Sequence, residues 1–143
     1  MNTIMKSKTI ISASEQETEN IAAQLAETLP IGSVIALHGD LGAGKTVFSR
    51  GFARGLKIEE PVSSPTYTII QEYQVTAGWF FHLDLYRISD ENAALAFGVD
   101  EYLDDAAAWT IIEWPERITG ILPAHTIHLQ IKHLDSGHRE INW

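Results

Sequence analysis

The stretch "HGDLGAGKTVF", residues 38–48, carries the pattern that most strongly indicates the fold of this chain. It contains the pattern G-x-x-x-x-G-K-[ST], matched by Gly39, Gly44, Lys45 and Thr46. The apolar run "SVIALH", residues 33–38, precedes the glycines and is typical of a strand that is buried on both faces. A helix is expected to follow from Lys45 to about Leu56. Strand, glycine loop and helix in this order form the context that the pattern requires.

The residue types of this loop explain what it binds. Glycines let successive backbone N–H groups turn toward an anion, and the helix N-terminus adds a partial positive charge. Lys45 can reach the β- and γ-phosphates of a nucleotide, and the hydroxyl of Thr46 can bind Mg²⁺. The loop therefore predicts a site for a nucleoside triphosphate.

Composition narrows the class of protein. The chain has 143 residues, which suits a single domain over 1–143. Its formal net charge is −9, from 10 Lys and Arg against 19 Asp and Glu, which argues against a stand-alone nucleic-acid-binding protein because such binding neutralises phosphates. The absence of cysteine, of a signal-peptide pattern and of an apolar run of roughly 18 residues favours a cytoplasmic protein.

Two further segments have helical patterns. Ser14 and Glu17 form a capping box that begins an amphipathic helix over residues 14–29. Ser89 is expected to cap a short helix that stops at Gly98.

The other periodic segments predict strands. Residues 66–75 and 79–85 suit a hairpin around the turn "TAG", and residues 109–112 form a buried apolar run. Residues 127–131 alternate apolar and polar side chains, and the turn "DSG" leads to a last strand within 138–143. The predicted class is α/β, with a P-loop NTPase-like central mixed sheet flanked by helices. The middle and C-terminal strands are expected to be antiparallel additions.

A P-loop needs a carboxylate at the end of a neighbouring strand to complete the Mg²⁺ shell. Glu113 closes the run "WTIIE" and Asp84 closes "WFFHLD", so both are candidates. Carboxyl ends of strands are where open α/β sheets bind ligands. Thr66, in "SSPTYT", is a third candidate, because a threonine after the P-loop helix can bind Mg²⁺ or sense the γ-phosphate.

Charge is unevenly spread along the chain. All charged residues of segment 90–105 are acidic. A cationic group lies in and after the loop, formed by Lys45, Arg50, Arg54 and Lys57. Two interpretations are open: two ordinary solvated faces, or a positive side near the nucleotide and a negative side that faces a basic partner.

The absence of a guanine-binding motif bears on which nucleoside triphosphate the loop binds. The guanine-binding Asn-Lys-x-Asp pattern is absent, since "KHLD" at 132–135 lacks the asparagine and the spacing. ATP is therefore favoured. Four histidines lie on or beside the last strand pair and are expected to be surface residues without a metal: His125, His128, His133 and His138.

Four stretches together resemble the TsaE (YjeE) family, the small P-loop ATPase of bacterial tRNA threonylcarbamoyladenosine biosynthesis. They are "GDLGAGKT" at 39–46, "SPTYT" at 64–68, "HLDLYR" at 82–87 and "EWPER" at 113–117. "LGAGKT" alone is shared with other P-loop proteins, whereas "SPTYT", "DLYR" and "EWP" in combination are specific.

The resemblance implies a role for each matched residue. Thr46 and Glu113 would ligate Mg²⁺, Asp84 would orient or activate the attacking water, and Thr66 would act with Lys45 in catalysis as part of a switch-like loop. The nucleotide contacts would come from Gly39, Asp40, Leu41, Gly42, Ala43, Gly44, Lys45, Thr46, Val47, Trp114 and Arg139.

The resemblance also implies partners. The family works with TsaB and TsaD, while TsaC makes the threonylcarbamoyl-adenylate donor, and ATP hydrolysis supports repeated modification of the position next to the anticodon. tRNA would be met indirectly, through the complex. Two alternatives remain open on the residues: a small-molecule P-loop kinase, and a nucleotide-dependent switch that hydrolyses little.

Overall fold

The computed structural model describes residues 7–40, 42–62 and 69–143. Within these ranges, seven strands form one sheet. The strands are β1 (Thr9–Ser12), β2 (Val34–His38), β3 (Ile70–Val75), β4 (Gly78–Asp84), β5 (Ala108–Glu113), β6 (Ile127–His133) and β7 (Arg139–Asn142). The helices are α1 (Glu15–Thr28), α2 (Lys45–Gly55), α3 (Glu91–Ala96), α4 (Val99–Leu103) and a 3₁₀ helix (Pro115–Ile121). The strand order is β1-β7-β6-β2-β5-β4-β3.

The centre of the sheet is parallel. β2 pairs in parallel with both β6 and β5, and β5 pairs in parallel with β4. Antiparallel pairing joins β3 to β4, β7 to β6 and β1 to β7. The predicted mixed α/β sheet is confirmed, as is the hairpin of β3 and β4.

The expectation that the middle and C-terminal strands are antiparallel additions holds for β3 and β7 but is incomplete for β4 and β6, each of which also pairs in parallel with a central strand. A crossover through α3 and α4 connects β4 to β5, and such a connection leaves two strands parallel. The alternating pattern of β6 has another cause, since His128, Gln130 and Lys132 are exposed on one face of this strand. Alternation records a solvated face and does not by itself indicate the direction of pairing.

Helices cover both faces of the parallel region. On one face, Phe48 and Phe52 of α2 are buried in a cluster with Leu37 of β2 and side chains of α1. On the other face, side chains of α3, α4 and the 3₁₀ helix, among them Val99 and Ile118, form a second buried cluster. The layered arrangement leaves the carboxyl end of the sheet to the glycine loop, which joins β2 to α2.

The structure confirms one of the two predicted helix N-caps and corrects the other. Ser14 caps α1, because its Oγ accepts a hydrogen bond of 3.1 Å from the N–H of Glu17. The predicted cap of α3 is wrong by one residue. Asp90, not Ser89, is the N-cap, and its Oδ1 accepts from the N–H of Ala93 at 2.9 Å. The sequence patterns do not predict α4, which follows α3 directly.

Helices α1 and α2 pack closely because α2 carries two glycines on the shared face. A Cβ atom on Gly55 would lie 2.5 Å from the carbonyl oxygen of Ala23, and one on Gly51 would overlap the backbone of Glu19. Both positions therefore require the absence of a side chain. This contact fixes α2, and with it the residues that follow the glycine loop.

Candidate nucleotide-binding site

The glycine loop enters α2 through two left-handed residues. Gly42 has a φ of 83° and Gly44, the N-cap of α2, has a φ of 107°, conformations that L side chains rarely adopt. Gly39 is needed for a different reason: a Cβ there would lie 2.7 Å from the carbonyl oxygen of Ile131. The loop therefore presents backbone at the N-terminus of α2, which is the cradle that an anion requires. Leu41 lies outside the described residues.

Lys45 is buried and packed against the loop that precedes it. Its Nζ donates a hydrogen bond of 2.6 Å to the carbonyl oxygen of Gly39 and lies 3.6 Å from the centroid of the Trp114 ring. Burial lowers the pKa of Lys45, and the nearby carboxylates, Glu113 first among them, act in the opposite direction. Trp114 itself has a φ of 62°, an uncommon backbone conformation that places its ring beside the lysine.

The two candidate acids come together at the carboxyl ends of adjacent strands. Glu113 ends β5 and Asp84 ends β4, and the two residues are direct partners in the parallel register. Glu113 is also the partner of Leu37, the residue before the last residue of β2. Only 2% of Glu113 is exposed, whereas Asp84 is half-buried. Both acids lie at the edge of the sheet where ligands bind in open α/β folds.

Glu113 has partners that the sequence analysis missed. Its Oε2 lies 2.7 Å from Nε2 of His82 and accepts a hydrogen bond of 3.4 Å from Oγ of Ser49. His82 and Ser49 are fully buried. The sequence did hold a signal, because His82 stands two residues before Asp84 on the same strand face and Ser49 stands one helical turn after Lys45.

Arg139 reaches the loop from β7. Its Nε donates to the carbonyl oxygen of Ala43 at 2.9 Å, and its Nη1 donates to the carbonyl oxygen of Gly137 at the same distance. The C-terminal hairpin thus contacts the glycine loop directly. An atom built as Cβ on Gly44 would lie 3.4 Å from Arg139 Nε, so the guanidinium borders the start of α2.

The remaining predicted residues surround this centre. Thr46 and Val47 lie in the first turn of α2 and are half-buried, and Asp40 is exposed at the end of β2. Thr66 lies outside the described residues. A cleft of about 570 Å³ flanks the loop on the β6 side, between Gly42 and Lys132.

Two members of the cationic group, Arg50 and Arg54, pair with side chains of α1. Arg50 and Arg54 pair with Glu19 of α1 at 3.4 Å and 3.1 Å, and Arg54 also donates to Asn20 at 2.7 Å. These exposed arginines connect α2 to α1. Of the two interpretations that the sequence left open, the ordinary solvated face fits Arg50 and Arg54.

The histidines near the last strands have mixed surroundings. His125, His128 and His133 are exposed as expected, but His138 is half-buried. His128 Nδ1 lies 2.9 Å from Nε2 of His38, and burial together with His128 lowers the pKa of His38. Among residues 7–40, 42–62 and 69–143, no group of three or more His, Asp or Glu side chains could hold a metal by itself.

The sheet is mixed with a parallel centre, and its central strand leads through a glycine loop into a helix while acids end the two neighbouring parallel strands. This is the fold of the P-loop NTPase class. Residues 12–141 match the family described as "Threonylcarbamoyl adenosine biosynthesis protein TsaE". The chain belongs to the TsaE family.

Individual relatives agree with this assignment. The tRNA threonylcarbamoyladenosine biosynthesis protein TsaE of Bacillus subtilis (strain 168) is 41% identical over 128 residues, which cover 90% of this chain and 79% of that protein. The TsaE protein of Aquifex aeolicus (strain VF5) is 37% identical over 136 residues, which cover 94% of this chain and 93% of that protein. The crystal structure of Bacillus subtilis YdiB superposes with a TM-score of 0.81 at 35% identity, covering 96% of this chain and 84% of that one.

In the part of the chain that the structure describes, no helix combines the length and the apolar character needed to cross a bilayer.

Proposed function

We propose that this protein is the Mg²⁺-dependent ATPase of bacterial tRNA threonylcarbamoyladenosine biosynthesis and acts in the cytoplasm. The observation that carries the proposal is the position of Lys45, at the start of α2, close enough to Glu113 and Asp84 for both carboxylates to raise its pKa against the effect of burial. The two acids are register partners at the ends of β5 and β4. Charge for the phosphates and oxygen ligands for a cation thus belong to one site.

The residues present fit an ATP–Mg²⁺ complex. The backbone cradle at Gly44 suits the phosphates, and Lys45 would turn from its contact with Gly39 to the β- and γ-phosphates. Thr46 and Glu113 would hold Mg²⁺, which commonly uses one or two protein oxygens together with nucleotide phosphates and water. When bound, the ion would neutralise charge on the phosphates.

Burial favours different roles for the two acids. Glu113 is almost fully buried and held by two side chains, which suits a ligand with a fixed position. Asp84 is half-buried, and its Oδ1 accepts a hydrogen bond of 3.1 Å from the N–H of Tyr86. A carboxylate that reaches solvent can position an attacking water, so we assign that role to Asp84.

We infer that hydrolysis is slow until partners complete the site. Lys45 donates to the carbonyl oxygen of Gly39, and Arg139 donates to one glycine-loop carbonyl, that of Ala43, and to the carbonyl of Gly137 in the turn before β7. Arg87 is exposed, and Arg117, four residues after Glu113, donates to the carbonyl oxygen of Tyr86 at 3.3 Å with its guanidinium 5.9 Å from the centroid of the Trp114 ring. Closing such a site can raise the rate of hydrolysis, and an arginine supplied by a partner can raise that rate by about 10³–10⁵. TsaB and TsaD are the proposed partners, with TsaC upstream and tRNA bound through the complex.

The acidic segment 90–105 is the proposed docking surface. It carries two exposed apolar side chains, Leu95 and Phe97, which are 43% and 57% exposed. Exposed apolar groups rimmed by charge are typical of interaction sites. A basic surface with an apolar pocket on the TsaB–TsaD complex would complement this segment.

The test is steady-state phosphate release at fixed Mg²⁺ and ATP, with and without TsaB–TsaD, at two salt concentrations. We expect stimulation that weakens with salt, because exposed charge pairs are screened. Absence of stimulation would reject the proposed function. Phosphate transfer to an added small-molecule acceptor would favour the kinase alternative, and tight binding without turnover in the complete assembly would favour the passive switch.

A pair of variants tests the docking surface separately. Phe97→Ser should lose most of the stimulation and keep the basal rate, because the side chain is exposed and remote in sequence from the site residues. Ile11→Ser, at the 49% exposed Ile11 of β1, is the matched control and should keep both. Equal effects of the two substitutions would exclude segment 90–105 as the docking surface.

A further inference from the structure

Three buried side chains form a polar group beneath the glycine loop. His82 and Ser49 are 0% exposed and Glu113 is 2% exposed. Both contacts to the carboxylate fall on one oxygen, Oε2, at 2.7 Å from His82 Nε2 and 3.4 Å from Ser49 Oγ. With Glu113 ionised, the imidazole is the donor, because a carboxylate only accepts hydrogen bonds.

The imidazole is itself held in place. Its ring is stacked on Phe80, with centroids 6.3 Å apart and planes 8° apart, so its direction is determined by packing. Its Nδ1 is buried and has no hydrogen-bond partner among the described residues. A buried polar atom without a partner is unfavourable, so the one hydrogen bond that the ring makes among the described residues, to Glu113, is the feature that accounts for a histidine here.

Ser49 connects the same carboxylate to the phosphate-binding helix. It follows Lys45 by one turn of α2, on the same helix face. A displacement of the start of α2 therefore acts on Lys45 and on the contact with Glu113 together.

We propose that His82 and Ser49 are positioning residues, which hold Glu113 through Oε2 so that its other oxygen is oriented toward Mg²⁺. The inference rests on the proposed function, since it takes Glu113 as a metal ligand. Hydrogen-bonded partners of metal-binding carboxylates typically change metal affinity by about 10–100-fold when removed. The sequence positions of such partners cannot be recognised from the P-loop pattern itself.

The test measures, for the unmodified protein and for each variant, the Mg²⁺ concentration at which ATP binding is half-maximal. ATP binding is followed by isothermal titration calorimetry. His82→Leu should raise this concentration by about 10-fold or more, because the oxygen of Glu113 loses its nearest donor. His82→Gln, which keeps an N–H donor, should stay closer to the unmodified protein, and Ser49→Ala should shift less than His82→Leu since its contact is longer. ATP binding in EDTA should be unchanged in all three variants.

A control and a second measurement separate the possible outcomes. His125→Leu, at an exposed histidine before β6, should match the unmodified protein. In the unmodified protein, addition of Mg²⁺ to the ATP-bound state should shift the NMR resonances of the His82 imidazole and leave those of His125 in place. This measurement holds even where His82→Leu fails to fold.

Different results would reject the proposed function and the positioning role of His82 and Ser49. If the unmodified protein binds ATP without any dependence on Mg²⁺, the proposed function is rejected. A different result would be ATP binding that depends on Mg²⁺ while the His82 variants need the same Mg²⁺ concentration for half-maximal binding as the unmodified protein, or while the His82 resonances do not respond to Mg²⁺. Either observation would reject the positioning role and leave the proposed function standing. A loss of thermal stability with unchanged Mg²⁺ dependence would assign the group a structural role only.

Discussion

Lys45 Nζ lies 3.6 Å from the centroid of the Trp114 ring and donates to the carbonyl oxygen of Gly39 at 2.6 Å. The ammonium group thus has two partners that a phosphate would replace. The exchange is favourable because a charge-assisted contact to a phosphate oxygen is stronger than a bond to a neutral carbonyl.

Lys45→Ala should weaken ATP binding by about 10-fold or more, since a hydrogen bond to a charged group is worth about 1.5–3 kcal/mol. Calorimetric titration of the folded variant measures this change. Lys57→Ala is the matched control, because Lys57 is exposed after the end of α2 and should leave the affinity unaltered. Unchanged affinity in Lys45→Ala would exclude the glycine loop as the phosphate site.

Trp114 should report the movement of Lys45. Binding of ATP and Mg²⁺ is expected to change the tryptophan fluorescence as the cation leaves the ring, and Trp114→Phe should remove that change. The affinity of this variant for ATP should stay unchanged or rise slightly, because the substitution weakens a cation–π contact that ATP binding breaks. Trp109→Phe should keep the signal, since Trp109 donates to the carbonyl oxygen of Leu29. A signal retained in Trp114→Phe would argue against this movement.

Substitution of each of the two acids, Glu113 and Asp84, should impair a different step. Glu113→Ala should lose Mg²⁺-dependent ATP binding, whereas Asp84→Ala should keep much of the binding and lose turnover, because its contact matters mainly in the transition state. Binding and single-turnover hydrolysis measured on both variants separate the roles. The opposite pattern would exchange them, and equal loss of binding would indicate two metal ligands. Asp104→Ala, at an exposed acid after α4, is the control.

The His38–His128 pair should make stability depend on pH. The pKa of His38 is lowered, chiefly by burial, so below its usual value of 6.5 the unfolded chain takes up a proton before the folded one does. Stability is therefore complete above pH 6.5 and is lost as the pH falls from there toward the lower folded-state pKa. His38→Gln should flatten the decrease in melting temperature over this range. An identical slope in both proteins would contradict the assignment.

Gly55→Ala should destabilise the fold by about 1–3 kcal/mol, because the added methyl would press on the backbone of α1. Denaturant unfolding gives the free energy. Gln24→Ala, at an exposed position of α1, should stay within about 0.5 kcal/mol of the unmodified protein. A neutral Gly55→Ala would mean that α1 and α2 can separate without cost.

Features that depend on neighbouring residues can be predicted from the amino-acid order alone. The glycine loop predicts its strand and helix because glycine torsions, the helix N-terminus and the adjacent apolar run are local. The cap of α1 at Ser14 follows from a hydrogen bond that spans three residues. The acids at the ends of β4 and β5 are likewise visible, since each closes an apolar run.

Contacts between residues far apart in the sequence are known only from the three-dimensional fold. His82 and Glu113 are separated by 31 positions and Arg139 and Ala43 by 96, and neither contact follows from any local period. The parallel direction of β6 and the pairing of Arg50 and Arg54 with Glu19 were decided in the same way. The physical reason is that strand order and helix docking are selected by the burial of the whole sheet, whereas local patterns specify only which face of each element is apolar.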